Sequence, residues 1–197
     1  MPLTIAKTQL EKDVAGCIRA YWQIRAANAA LLHFSNGQNW KNFELKFENI
    51  HTLPQILIPR NQKMHDALAE IQEYIRDGRA VSEHFMNVIS FLESFLVKIL
   101  ISKGKSTEGT LGQLTTRVED LFNLNLAQET IAMKEIRERR NTLVHNHGVA
   151  QTKYITACTH PSLPANLRAT LINQHVPITD DYFSYVCTKI IDYSRQF

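Results

Sequence analysis

The sequence predicts an all-α fold, a bundle of four to five main helices with an extended insertion after the first of them. Three observations predict it. Apolar residues recur at steps of three and four along most of the chain, the mark of amphipathic helices. Strand-like alternation is confined to Phe43, Leu45 and Phe47. Gly and Pro number only 7 and 6 in 197 residues, so long irregular stretches are not expected. One domain, 1–197, is long enough to bury a sizeable core.

The elements follow in order. Leu10, Val14, Cys17, Tyr21, Ile24 and Leu31 place a first helix over roughly 5–33, with Ala27 beside the stripe, and the turn chemistry of "FSNGQN" ends it. Residues 34–60 read as an extended insertion, kept extended by Pro54 and Pro59 and able to carry a small hairpin. A long helical region covers about 61–102. Met64, Leu68, Ile71 and Ile75 form its first stripe, and "RDGR" at 76–79 is a candidate break. Phe85, Val88, Ile89, Leu92, Phe95, Leu96 and Ile99 then form a face broad enough to pack against more than one neighbour. "SKGKSTEG" is a loop. A third helix runs over about 109–122 (Leu111, Leu114, Val118, Leu121) and a fourth over about 126–146. "HPSLPANL" reads as a loop, and 178–197 as a C-terminal helix capped by Thr179 or Asp180.

Composition narrows the class. Charged residues make up 21% and the net charge is +3, mildly basic and compatible with a nucleic-acid partner. The most apolar run, 85–101, is interrupted by Asn87, Ser90, Glu93, Ser94 and Lys98, so no membrane span is expected. The stretch "MPLTIAKTQLEKDVAG" lacks the apolar region of a signal peptide. Cys17, Cys158 and Cys187 form no CxxC pair and are odd in number, which fits reduced thiols and a cytoplasmic location.

The chemistry-bearing stretch is "ERRNTLVHNHG", 138–148. At ~100° per residue, Met133, Ile136 and Leu143 share one side of the helix, with Val144 at its margin. Arg140 falls on that same side, while Asn141 and His145, four apart, stack on the opposite one. An arginine in an apolar stripe must either be paired or reach solvent with its head. Glu93, the only acid in the run 85–101, is a candidate partner; it can equally sit at a helix edge with no partner. His145 is the natural titrating group, since an imidazole exchanges protons near neutrality, although a histidine at a helix end also serves as a cap. His147 could join it in a His-x-His metal pair only if the helix has ended by then, and no cluster of further ligands supports zinc. No metal and no cofactor is therefore expected.

The segment Arg140-Asn141-Thr142-Leu143-Val144-His145 resembles the motif of the HEPN superfamily (higher eukaryotes and prokaryotes nucleotide-binding domain): Arg, four to six residues, then His, with a polar residue just after the Arg. The flanking "ERRN" and "HNHGV", Tyr154 a few residues on, "GTLGQL" opening the preceding helix and the late "VPITDDYFSYV" helix entry are similar too. The resemblance covers about 61–196. It implies an all-α bundle, often a homodimer. It also implies a metal-independent endoribonuclease used as a toxin or in defence against phage, with an antitoxin protein as a partner in the toxin systems. Some toxin members carry a tyrosine two residues after the His, the target of a partner nucleotidyltransferase; here that position is His147, a departure from the pattern.

On this resemblance Arg140 clamps the phosphate, His145 is the general acid or base, and Asn141 orients His145 or donates to the phosphate. Glu93 supports Arg140, and Lys134, Arg137 and Arg139 add attraction for the RNA backbone. A twofold dimer would supply two copies of His145 and Arg140 to one cleft. Two rival readings stand beside it: a HEPN-like module that binds RNA or a nucleotide without cutting, and a structural bundle in which Arg140 merely pairs with Glu93.

Overall fold

The amphipathic stripes read from the sequence become helices with small shifts at their ends. The computed structural model of the protein describes residues 2–35, 44–46, 61–124, 127–168 and 170–197. Helix α1 spans Leu3–Ser35 and buries Ala6, Leu10, Val14, Cys17 and Tyr21 at the expected spacing. Strands β1 (Glu44–Lys46) and β2 (Asn61–Lys63) pair antiparallel, Leu45 opposite Gln62. The rest of the expected insertion, with Phe43, Phe47, Pro54 and Pro59, lies outside the described residues.

The "RDGR" break is real. Helix α2 (Met64–Arg76) ends at Asp77, Gly78 adopts a left-handed φ of 71°, and α3 begins afresh over Arg79–Ser102. By length and composition α3 could cross a membrane. Its apolar face is instead consumed by the protein core: Phe85, Val88, Ile89, Leu92, Phe95, Leu96, Ile99 and Leu100 are each at most 2% exposed.

Helices α4 (Leu111–Leu121) and α5 (Ala127–His145) follow as expected. Two short helices were not expected: α6 (Thr152–Cys158) and α7 (Ala165–Arg168), the latter inside the stretch read as a loop. The sequence signal for α6 is poor because Thr152, Ile155 and Thr156 are β-branched and Gln151 provides no side-chain cap. Burial of Tyr154, Ala157 and Cys158 holds it instead. Helix α8 (Asp180–Arg195) completes the chain.

The described chain forms two compact units. One comprises 19–80: the second half of α1, the β1–β2 pair and α2. Within it, Tyr21 meets Trp22 edge-on at 5.4 Å. The other comprises 1–18 and 81–197 and contains every candidate site residue. At its centre α5 packs against α4, α6 and α8. Leu10 and Val14 of α1, Leu114 and Val118 of α4, Ile136 of α5, and Phe183, Val186 and Ile190 of α8 fill its core. Phe197 packs edge-on against Tyr193 (4.9 Å) and at a tilt against Phe122 (5.4 Å).

Helix ends are set by ordinary capping chemistry. Thr110 and Gln113 form a reciprocal capping box at the start of α4. Thr179 caps α8 by accepting the Tyr182 N–H at 3.1 Å, with Asp180 and Asp181 favourably placed against the helix dipole. Thr179→Ala should therefore cost about 1 kcal/mol. Urea unfolding should show this as a lower midpoint with an unchanged slope.

Candidate functional site

Four helices line one cleft of about 990 Å³ in the larger unit, at the upper end of the range for small-molecule sites. The first turns of α4 supply Thr110, Gly112, Gln113 and Arg117. The second half of α5 supplies Arg137, Glu138, Arg140, Asn141 and His145. Glu93 of α3 and Lys153 and Tyr154 of α6 close the lining. The three residues of the Arg–Asn–His motif thus share a single concave surface.

The end of α5 sets the position of His145. The Thr142 carbonyl accepts from both Asn146 N–H and Gly148 N–H, each at 3.0 Å, and this double acceptance stops the helix at His145. His147 (φ 51°) and Gly148 (φ 78°) then turn through the left-handed region. Gly148 also lies close to the His175 ring, 3.2 Å from where a β-carbon would sit, so both turn and packing call for glycine. The outgoing strand is held by a bridge between Val149 and His175, with the Ala150 N–H donating to the Gln174 carbonyl at 2.8 Å. His145 is left exposed at the rim. His147 is exposed on the turn and does not line the cleft. Among the described residues no group of three or more His, Cys, Asp or Glu could hold a metal ion.

Arg140 is half-buried and undersupplied with partners. One terminal nitrogen donates to Asn141 Oδ1 at 3.3 Å, while its Nε is buried without a hydrogen bond. The candidate Arg140–Glu93 ion pair is not formed. Glu93 lines the same cleft, but among the described residues no carboxylate lies within ion-pair distance of Arg140. Asn141 holds the guanidinium along the α5 surface, leaving donors free for an anion in the cleft.

The arginine buried in the core is Arg139, its neighbour. At 3% exposure it is sealed among α5, α6 and the entry to α8. Its Nε donates to Glu135 Oε1 at 2.9 Å and a terminal nitrogen to the Pro177 carbonyl at 2.9 Å. Its guanidinium lies over the Tyr182 ring at 3.7 Å. Glu135, fully buried, also accepts from Tyr154 Oη at 3.1 Å and Tyr182 Oη at 2.8 Å. Every member of this network is satisfied, the condition under which a buried ion pair is tolerated. Arg139 therefore cannot attract an RNA backbone, contrary to the sequence expectation. That expectation placed the buried stripe one residue too far round: Met133 and half-buried Leu143 flank it, whereas Ala132, Glu135, Ile136 and Thr142 centre it on Arg139. The i, i+4 pair Glu135–Arg139 was the available signal.

The other expected basic residues divide. Arg137 lines the cleft, paired with Glu138 at 3.2 Å. Lys134 is exposed and lines a separate small recess between α4 and α5. Arg117 and Lys153, which the sequence reading did not single out, complete the cationic lining; no local pattern marks them, because they lie on different helices from the motif. Gly112 also matters. The Arg137 guanidinium lies so close over it that a β-carbon there would collide.

Several groups are unsuited to catalysis near neutrality. Burial pushes the phenols of Tyr154 and Tyr182 well above their ordinary value; Glu135 adds to the rise and Arg139 opposes it. Both tyrosines are thus permanent donors to Glu135. The three cysteines are buried and unpaired, and desolvation raises Cys17 to about 11 and Cys187 to about 12, so neither supplies a thiolate nucleophile.

No protein-family model, no curated protein and no solved structure matches the chain. The fold and the cleft define a helical protein whose cleft carries more basic than acidic side chains, with His145 exposed at its rim.

Proposed function

We propose that this protein is a metal-independent endoribonuclease of the HEPN type, acting in the cytoplasm as a homodimer. The setting that the motif's resemblance implies is toxin–antitoxin control or phage defence. The observation that carries the reading is the joint lining of one cationic cleft by Arg140, Asn141 and His145, with a buried and unpartnered Nε on Arg140. The rival reading, a structural Arg140–Glu93 pair, is not supported, because that pair is not formed.

The chemistry follows from what RNA offers. Its 2′-OH is a nucleophile already positioned beside the phosphorus. A base takes the 2′ proton, the 2′-oxygen–phosphorus bond forms, and the phosphorus–5′-oxygen bond breaks as an acid protonates the leaving oxygen. The products are a 2′,3′-cyclic phosphate and a 5′-hydroxyl. Arg140 neutralises the charge that gathers on the phosphoryl oxygens, and Asn141 keeps its guanidinium in place. His145 exchanges the proton.

One imidazole cannot serve both sides of an in-line displacement, so a second His145 from a twofold-related copy provides the other. The surface beside His145 suits such a contact. Val144 is 45% exposed, and with Leu143 it borders a shallow groove formed with Met86 and Asn87.

Purified protein incubated with total RNA in EDTA should release fragments ending in 2′,3′-cyclic phosphate, and Arg140→Ala should slow this by about 100-fold or more. Its mass in solution should be that of two chains. RNA retained without cleavage would instead assign the cleft to a binding module.

A further inference from the structure

We propose that the cleft holds two consecutive phosphates of an RNA strand: one at Arg140 and His145, the next on Arg117, Arg137 and Lys153. The inference rests on the ribonuclease reading and deepens it, because it makes the substrate a polynucleotide rather than a mononucleotide or a single phosphodiester.

Charge bookkeeping leads to it. Among the described residues four permanent cations line the cleft, Arg117, Arg137, Arg140 and Lys153, against two carboxylates, Glu93 and Glu138. The excess is two positive charges per protomer, His145 not counted. One phosphodiester at Arg140 carries one negative charge and leaves one positive charge in excess. A second phosphodiester closes the balance.

Geometry gives those cations a common place. Arg117 is tied down through a single terminal nitrogen, which donates to the carbonyls of Ser106 (3.3 Å) and Glu108, so its other nitrogens stay available. Arg137 uses its Nε on Glu138 at 3.2 Å and extends its terminal nitrogens across the first turn of α4, over Gly112. The absence of a side chain at Gly112 is what permits this seat. Lys153 stands exposed at the start of α6 on the same cleft. Arg117 and Arg137 are thus held by their surroundings rather than free to wave in solvent, which lowers the entropy lost on gripping an anion.

The test uses fluorescein-labelled 2′-O-methyl oligouridylates, which cannot be cleaved: a dinucleotide with one phosphodiester and a trinucleotide with two. A charge-assisted phosphate contact is worth about tenfold or more in affinity, so the trinucleotide should bind at least about tenfold tighter. Its affinity should also fall more steeply with salt, by about 0.7 in the logarithmic slope. Gly112→Ala favours the α4 helix and displaces Arg137, and Lys153→Gln alters an exposed side chain. Each should cut the trinucleotide-to-dinucleotide ratio severalfold while the circular dichroism melt is preserved. A ratio near one in the native protein, or a ratio unmoved by both variants, overturns the second subsite. Cleavage of the unmodified trinucleotide in EDTA is scored separately: a preserved ratio without cleavage would sink the nuclease reading and keep the subsite, and cleavage with a ratio near one would do the reverse.

Discussion

His145→Ala should lower the cleavage rate by about 100- to 10,000-fold, the range lost when a positioned acid–base group is removed. It should do so without unfolding the protein. His145 is exposed at the last position of α5, and the helix end is held by the Thr142 carbonyl and the Asn146 and Gly148 amides rather than by the imidazole. Surface substitutions of this kind stay within about 0.5 kcal/mol. The melting temperature should therefore move by no more than about 1–2 °C for a chain of this size. Cyclic-phosphate release from RNA in EDTA reads the rate, and calorimetry reads the melt. Cleavage at the native rate by the folded variant would remove His145 from the mechanism. Arg140→Lys adds resolution: an ammonium keeps the charge but loses the forked donors, so a large loss there points to bidentate phosphate contact rather than to charge alone.

Glu135→Gln should produce the opposite pattern, a large loss of stability from a residue that never reaches the cleft. The substitution leaves Arg139 at 3% exposure without a counter-charge, and breaking one side of a buried pair costs about 3–5 kcal/mol. At roughly 2–4 °C per kcal/mol, the melting temperature should fall by about 6–20 °C. The tyrosine hydroxyls add to the cost, because Tyr154 and Tyr182 both donate to that carboxylate. Replacing both charges, with Glu135→Leu and Arg139→Met together, should cost less than the two single changes added, since no unpaired charge remains. A melt within 2 °C of native for Glu135→Gln would mean the network contributes little.

These two results separate roles that stand close together in sequence. Arg139 and Arg140 are neighbours, yet one is a core ion stacked on Tyr182 and the other a cleft residue with a spare nitrogen. A helical step of ~100° is the whole difference. Local pattern resolves such a step only when the apolar stripe is clear. On α5 the stripe is blurred because its buried face includes Glu135, Arg139 and Thr142.

The sequence by itself determined the helices and the motif. Periodicity located α1, α3, α4, α5 and α8 to within a few residues, "RDGR" marked the break before α3, and Thr179 or Asp180 marked the start of α8, which Thr179 caps. These signals are local: each depends on residues within one or two turns of each other. The tertiary structure alone decided the rest. It buried Arg139 instead of Arg140, left Glu93 and Arg140 unpaired, formed α6 around the buried Tyr154, and brought Arg117 and Lys153 to the motif. The burial of Arg139 and the placing of Tyr154 turn on Glu135, where Tyr154 and Tyr182 meet from 19 and 47 residues away; the other outcomes turn on which helices line the cleft. The free energy of burying a charge depends on such partners, and no window along the chain contains them.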